Sequence, residues 1–227
     1  MNDIEENLQS IRARILAAAA ACGRDADSIR LLAVSKRKPS GDIRAAYAAG
    51  QSEFGENYLQ EALEKMTELD DLDICWHFIG AIQSNKTRPI AQSFDWVHCV
   101  DRLKIAHRLS DQRPAERGPL NACIQVNLDD EASKAGIDLA ELPELAAAVA
   151  GLPGIRLRGL MTIPAPRDDY AAQCRSFARM TEALASLRRQ GLDCDTLSMG
   201  MTGDMEAAIA QGSTLVRIGT AIFGERT

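Results

Sequence analysis

The chain has 227 residues, 46% hydrophobic and 26% charged, with a formal charge of −6 at neutral pH. That is an ordinary globular composition, long enough for one large barrel or two small domains. The acidic excess argues against non-specific nucleic-acid binding, which leans on surplus Lys and Arg, and no apolar stretch is long enough to span a bilayer.

The opening residues Met1-Asn2-Asp3-Ile4-Glu5-Glu6 are acidic where a secretory signal would be basic, so a cytoplasmic location is expected. Ile4, Leu8, Ile11 and Ile15 recur at helical spacing and predict an amphipathic helix over 3–21. Asn2 or Asp3 can cap its start and Gly23 can end it. Next comes Leu31-Leu32-Ala33-Val34-Ser35, stopped by Arg37-Lys38-Pro39. So short an apolar run, ended by a proline that cannot continue a ladder, predicts a buried strand over 31–35 with Lys36 at its C-terminal mouth. A lysine there can form an imine with a carbonyl when its surroundings lower its pKa. Taken alone, the segment also fits an ordinary solvated lysine; the rest of the chain reverses that weighting.

Short apolar runs and longer helical patterns then alternate. Strands are predicted over 52–54, 75–79, 96–99, 122–126, 157–161, 196–199 and 215–218. Helices are predicted over 42–49, 57–69, 85–92, 103–111, 139–150, 170–189 and 204–210. Such alternation predicts parallel strands with helical crossovers, and eight units in about 200–250 residues suit a closed (β/α)8 barrel of the TIM type. Residues 221–227 are too few for an eighth crossover helix, so the N-terminal helix is expected to precede strand one and cover the gap beside strand eight. A doubly wound open sheet competes, but it would lack a glycine-rich dinucleotide turn here. No Pro/Ser-rich linker divides the chain, and 113–119 reads as a surface loop, so residues 1–227 are expected to form a single domain. None of the six cysteines forms a CxxC pair, and His77, His98 and His107 lack paired-ligand spacing. Free thiols and no metal site are expected.

Functional groups in such barrels gather at the C-terminal ends of the strands, and phosphate sites often use the loops after strands seven and eight. Those loops read Ser198-Met199-Gly200-Met201-Thr202-Gly203-Asp204 and Arg217-Ile218-Gly219-Thr220. Each offers a glycine that lets backbone N–H groups approach an anion, plus a hydroxyl that can donate to it. Arg217 adds a fixed positive charge, and the helix opening at Asp204 points its N-terminal dipole the same way. The Asp204 carboxylate would repel a phosphate on that cap. The phosphate is therefore placed on the N–H groups of 200–202 and 219–220, with Asp204 turned to its own helix. Either loop alone reads equally as the end of a strand. Together, and beside an imine-competent lysine, they imply a phosphorylated aldehyde, with pyridoxal 5′-phosphate the obvious candidate.

Several motifs closely resemble those of the pyridoxal phosphate homeostasis proteins, the YggS/PROSC family. They are Val34-Ser35-Lys36-Arg37-Lys38-Pro39, Phe54-Gly55-Glu56-Asn57-Tyr58, His77-Phe78-Ile79-Gly80 with Gln83-Ser84-Asn85-Lys86, Gly159-Leu160-Met161, Ser198-Met199-Gly200-Met201 and Arg217-Ile218-Gly219-Thr220-Ala221-Ile222-Phe223-Gly224. The likeness spans nearly the whole chain in order. It implies a single barrel related to the N-terminal domain of alanine racemase, with the cofactor on Lys36. It also implies no established turnover and a role in buffering the cofactor or delivering it to dependent apoenzymes. One departure is visible: the family usually has Ser after the second Met of its phosphate loop, where this chain has Thr202 and then Gly203.

The cofactor-binding set expected on this footing is Lys36, Asn57, Ser198, Gly200, Met201, Thr202, Arg217, Gly219 and Thr220. Asn57 can bond the cofactor's ring oxygen or orient Lys36, or else cap a helix. Arg217 can reach the pyridine nitrogen or the phosphate; at that nitrogen it would discourage protonation and weaken the ring as an electron sink. His77 reads as a satisfied core histidine rather than a base, and Lys86 and Arg88 as a solvated face. The competing reading is an amino-acid racemase, which needs an acid/base partner opposite Lys36. Alanine racemases take a tyrosine from a second, β-rich domain across a dimer. Neither Tyr47, Tyr58 nor Tyr170 is an evident substitute. A phosphosugar aldolase using the same lysine without a cofactor is the weaker enzyme reading. A monomeric carrier without substantial catalysis is expected, and Pro164-Ala165-Pro166 reads as a stiff loop or a gate.

Overall fold

The computed structural model describes residues 3–129 and 135–225. Eight strands close into a parallel barrel in chain order: β1 (Arg30–Val34), β2 (Glu53–Glu56), β3 (Cys75–Phe78), β4 (Trp96–Val100), β5 (Leu120–Gln125), β6 (Ile155–Met161), β7 (Thr196–Ser198) and β8 (Leu215–Ile218). The seam closes where β8 pairs with β1, Leu32 opposite Arg217 and Ala33 opposite Ile218. Around the barrel run α1 (Ile4–Ala21), α2 (Ser40–Ala48), α3 (Leu59–Glu68), α4 (Thr87–Ser93), α5 (Leu103–Gln112), α6 (Leu142–Ala150), α7 (Tyr170–Arg189), α8 (Met205–Ala210) and α9 (Thr220–Phe223). Among the described residues, no helix is long and apolar enough to cross a membrane.

The expected role of the first helix is observed. Asp3 caps α1 by accepting from the Glu6 N–H, whereas Asn2 lies outside the described residues. Leu8, Ile11, Ile15 and Ala19 are buried on one face, each large side chain contributing about 1.5–3 kcal/mol of burial. That face packs on α2, α8 and α9, so α1 lies between the helices that flank the β8–β1 seam, the place expected for it. Polar bonds fix it there. Arg12 donates to the carbonyls of Ala49 and Gly50 at 3.0 and 2.8 Å, and Arg14 donates to Glu206 and to the Thr202 carbonyl.

Strand and helix ends differ from the expected bounds by a few residues. α3 starts at Leu59 rather than 57, because Tyr58 is extended and holds the N-cap position. Its neighbour explains this: a Cβ on Gly80 would lie 2.2 Å from the Asn57 carbonyl oxygen, so the two backbones pack directly. Asn57 is therefore not the helix cap. Short α9 was not expected, nor were the one-turn 3-10 segments Ala26–Ser28, Ser84–Lys86 and Ala115–Arg117.

Candidate functional site

Lys36 stands two residues beyond β1, half-buried. Its backbone is held from both sides by a buried ionic cluster on β2 and α3. On one side Lys65 Nζ donates to the Ser35 carbonyl at 2.9 Å and to Glu56 Oε1 at 2.8 Å, while the Ser35 hydroxyl donates to the same carboxylate at 2.7 Å. On the other side the Arg37 N–H donates to Glu61 Oε1 at 2.5 Å, and Lys65 reaches that carboxylate too. Arg37 sits in the left-handed region at φ 60°, which a non-glycine residue holds only when its surroundings fix it. Burial pushes the Glu56 carboxyl above its usual range, with Lys65 pulling the other way.

The two loops expected to cradle a phosphate lie where barrel geometry puts them. Gly219, in step with the register of β8 against β1, packs on Val34; a Cβ there would be 3.2 Å from the Val34 carbonyl oxygen. Gly200 adopts φ +98°, and a Cβ would lie 2.6 Å from Ala208 Cβ, so only glycine fits. Its carbonyl accepts from the Arg217 N–H at 2.9 Å, joining the two loops directly. Thr202 and Thr220 are exposed at the rim.

Asp204 departs from the expectation. Its side chain makes no bond to its own helix, α8; it folds back to accept from the Met201 N–H at 2.6 Å. A carboxylate thus engages one of the donors assigned to the phosphate. The physical reason is the tight turn at Gly200, which brings that N–H within reach of the carboxylate three residues ahead. Burial raises the Asp204 pKa, opposed by the Met201 N–H and the nearby Arg217 charge.

Ser198 and Arg217 lie inside the barrel rather than on its rim. The Arg217 guanidinium, 5% exposed, donates through Nη1 to the Ser198 carbonyl and hydroxyl at 2.6 and 2.8 Å, and through Nη2 to the Thr162 carbonyl at 2.9 Å. Ser198 in turn lies 2.8 Å from His98 Nδ1, and His98 Nε2 lies 2.9 Å from His77 Nδ1. His98 is on β4 and Ser198 on β7, so this contact must cross the barrel interior. His77 is fully buried and hydrogen-bonded, the satisfied core histidine expected of it.

Sequence reasoning missed His98, Lys65, Glu56 and Glu61. A strand-parity reading could have found the first, since His77 and His98 share the inward phase of neighbouring strands. Of the cluster behind Lys36, only the Glu61–Lys65 pair carries a local signal, the i,i+4 spacing on α3; its meeting with Glu56 and Ser35 depends on tertiary packing.

Two features suit a phosphorylated, ring-bearing ligand between Lys36 and the β7 and β8 loops. Among the described residues, Asn57 Oδ1 is buried without a hydrogen-bond partner, and the side chain can present either amide face to a ligand oxygen. Gly200 and Gly219 let the β7 and β8 loops pack closely on α8 and on Val34, which brings their backbones to the same rim as Lys36.

Residues 6–227 match the family described as alanine racemase, N-terminal domain. The chain is 60% identical over 226 residues to a pyridoxal phosphate homeostasis protein of Pseudomonas aeruginosa, covering all of this chain and 97% of that one. It is 58% identical over 229 residues to the protein of the same name from Escherichia coli K12, covering all of this chain and 98% of that one. Among solved structures, PipY of Synechococcus elongatus PCC7942 with PLP bound is similar at a TM-score of 0.86 and 39% identity, covering 97% of this chain and 100% of that one. An alanine racemase from Corynebacterium glutamicum shares the fold at a TM-score of 0.69 and 21% identity; the match covers 98% of this chain but 60% of that enzyme.

Proposed function

The chain belongs to the family of pyridoxal phosphate homeostasis proteins, and we propose on that footing that it binds pyridoxal 5′-phosphate and buffers or delivers it. When bound, the cofactor supplies an aldehyde that a lysine amine can capture and a phosphate that fixes its other end. Lys36 is the residue of covalent attachment. Gly200, Thr202, Gly219 and Thr220 hold the phosphate, joined by the Met201 N–H once Asp204 releases it. Asn57 bonds a ring substituent, and Arg217, locked by Ser198, supplies the fixed positive charge of the pocket floor. The observation that carries the reading is the convergence of Lys36 and two glycine turns on the paired strands β7, β8 and β1.

The protein acts as a carrier rather than a catalyst: a single-domain, monomeric, cytoplasmic barrel that passes its cofactor to dependent apoenzymes. A racemase would need an acid/base group opposite Lys36. Tyr58, at the end of the β2 segment, accepts a bond from Arg37 at 3.2 Å instead. Purified protein supplied with the cofactor should develop visible absorbance that borohydride removes, leaving the adduct on the Lys36 peptide. A preparation that stays colourless, or an adduct solely elsewhere, overturns the reading. D- and L-amino acids incubated with the loaded protein should keep their chirality; rapid racemization lost in Lys36→Ala would make it an enzyme.

A further inference from the structure

Five side chains form one continuous chain of polar contacts through the barrel. It starts at Glu53, near the N-terminal end of β2, whose Oε2 lies 3.3 Å from His77 Nε2. From there it runs through His98 and Ser198 to Arg217 below the opposite rim. His77, His98 and Ser198 have no exposed surface, and Arg217 is 5% exposed. No part of this chain apart from its last two members figures in the cofactor pocket.

The two ends dictate where every proton sits. Arg217 can only donate, so the Ser198 oxygen accepts from Nη1. Glu53 is held ionised: burial opposes this, but His77 and Arg30 outweigh it and bring the carboxyl below its usual range. An ionised carboxylate can only accept, so His77 Nε2 carries a proton toward it. Cys75 Sγ, also 3.3 Å from that nitrogen, is a second weak acceptor. Burial keeps both imidazoles neutral. His77 Nδ1 is then a bare acceptor, and His98 Nε2 must donate to it. His98 Nδ1 is bare in turn, and the Ser198 hydroxyl must point at it. Every donor faces Glu53. Reversing any one link would set two lone pairs or two protons against each other inside a dry barrel, where an unmade bond is costly.

We propose that Glu53 is a positioning residue for Arg217, acting through the tautomers of His77 and His98 and the orientation of the Ser198 hydroxyl. A carboxylate at the N-terminal end of the barrel thereby fixes the guanidinium that faces the cofactor site at the other end. This rests on the reading of Arg217 as part of the pocket. Glu53→Gln keeps the shape but offers either a donor or an acceptor, so the chain loses its single direction.

The test begins with the cofactor-free protein. Nitrogen-resolved NMR of the histidine rings at neutral pH should show both His77 and His98 as the neutral Nε2–H tautomer. Either ring mainly as Nδ1–H, or as imidazolium, overturns the proposal, and this holds even if no variant folds. In Glu53→Gln both rings should become tautomer mixtures, and pyridoxal phosphate should be held about two- to tenfold more weakly, the worth of one net hydrogen bond. Asp195→Asn, which alters the Arg158 pair at the same end of the barrel, should leave tautomers and retention unchanged. Equal behaviour of the two variants overturns the proposal. Full cofactor retention in Arg217→Ala, with wild-type tautomers as expected, would instead remove the pocket reading on which it rests.

Discussion

Lys65 Nζ donates to the carbonyl of Ser35, the residue before Lys36, across 2.9 Å of the space between α3 and the barrel. It does so while paired with Glu56, the two side chains 7% and 0% exposed. Removing one partner of a buried pair leaves the other charge uncompensated, at a cost of about 3–5 kcal/mol. Glu56 Oε2 already has no partner among the described residues. Lys65→Met should therefore lower unfolding free energy by roughly that amount. Lys65→Met with Glu56→Gln should recover most of it. Urea titrations of the two variants decide the point; a double variant no better than the single would show that the pairing is not the cause.

Gly200→Ala puts a methyl 2.6 Å from Ala208 Cβ at φ +98°. Overpacking of this kind costs about 1–3 kcal/mol, and the left-handed backbone adds to it. Because the Gly200 carbonyl accepts from the Arg217 N–H, cofactor retention should fall as well. Gly203→Ala has open space around it and should do neither. Denaturation curves and absorbance after gel filtration measure both.

Asp204 holds the Met201 N–H with a negative charge where the phosphate is placed. Asp204→Asn keeps an acceptor for that N–H and removes the charge. Phosphate-bearing vitamers should bind about two- to fivefold more tightly, with a smaller gain at high salt, since the effect is electrostatic. Fluorescence titration at two ionic strengths would reveal it. Unchanged or weaker binding would mean that the carboxylate does not oppose the ligand.

His98 is buried and its pKa falls well below 6.5, first by burial and then by His77 and Arg217. Below pH 6.5 the unfolded chain takes up a proton that the folded one refuses. Stability from this group is thus complete above that pH and declines as the pH falls beneath it, by up to about 1.4 kcal/mol per pH unit. His98→Asn should flatten that acid-side decline relative to the parent protein. Urea midpoints from about pH 5 to about pH 7.5, spanning the ordinary histidine range, provide the comparison, and parallel declines would contradict it.

Lys38 looks from sequence like one more basic residue after the strand. The structure buries it and points Nζ at the carbonyls of Phe223 and Glu225, at 2.9 and 2.7 Å. Lys38→Ala should loosen the segment after β8 and raise hydrogen exchange in α9. Unaltered exchange over 220–225 would show that the clamp carries no weight.

Local pattern was enough to read eight strands, their parallel order and the covering helix, because apolar runs and 3.6-residue periodicity are properties of short windows. The glycine turns at 200 and 219 were legible for the same reason. What escaped was set by contacts between distant segments. Asn57 lies before α3 with its carbonyl packed against Gly80, and the Asp204 carboxylate bonds the Met201 N–H rather than its own helix. Ser198 belongs by sequence to the phosphate loop, yet its hydroxyl serves Arg217 and His98 inside the barrel. The motif marked its neighbourhood and parity along β7 decided its direction.

The clamp from Lys38 to Phe223 joins residues 185 positions apart, and the strand that carries Arg217 pairs with the one that leads to Lys36. On a translating ribosome the Lys36 amine emerges early and waits, while β7 and β8, whose loops are proposed to grip the anion, follow much later in chain order. Long-range parallel pairing is also the slow part of folding. On the proposed reading, vitamer capture therefore waits on the β8–β1 pairing, and a nascent chain short of β8 carries no grip with which to compete for the free cellular pool.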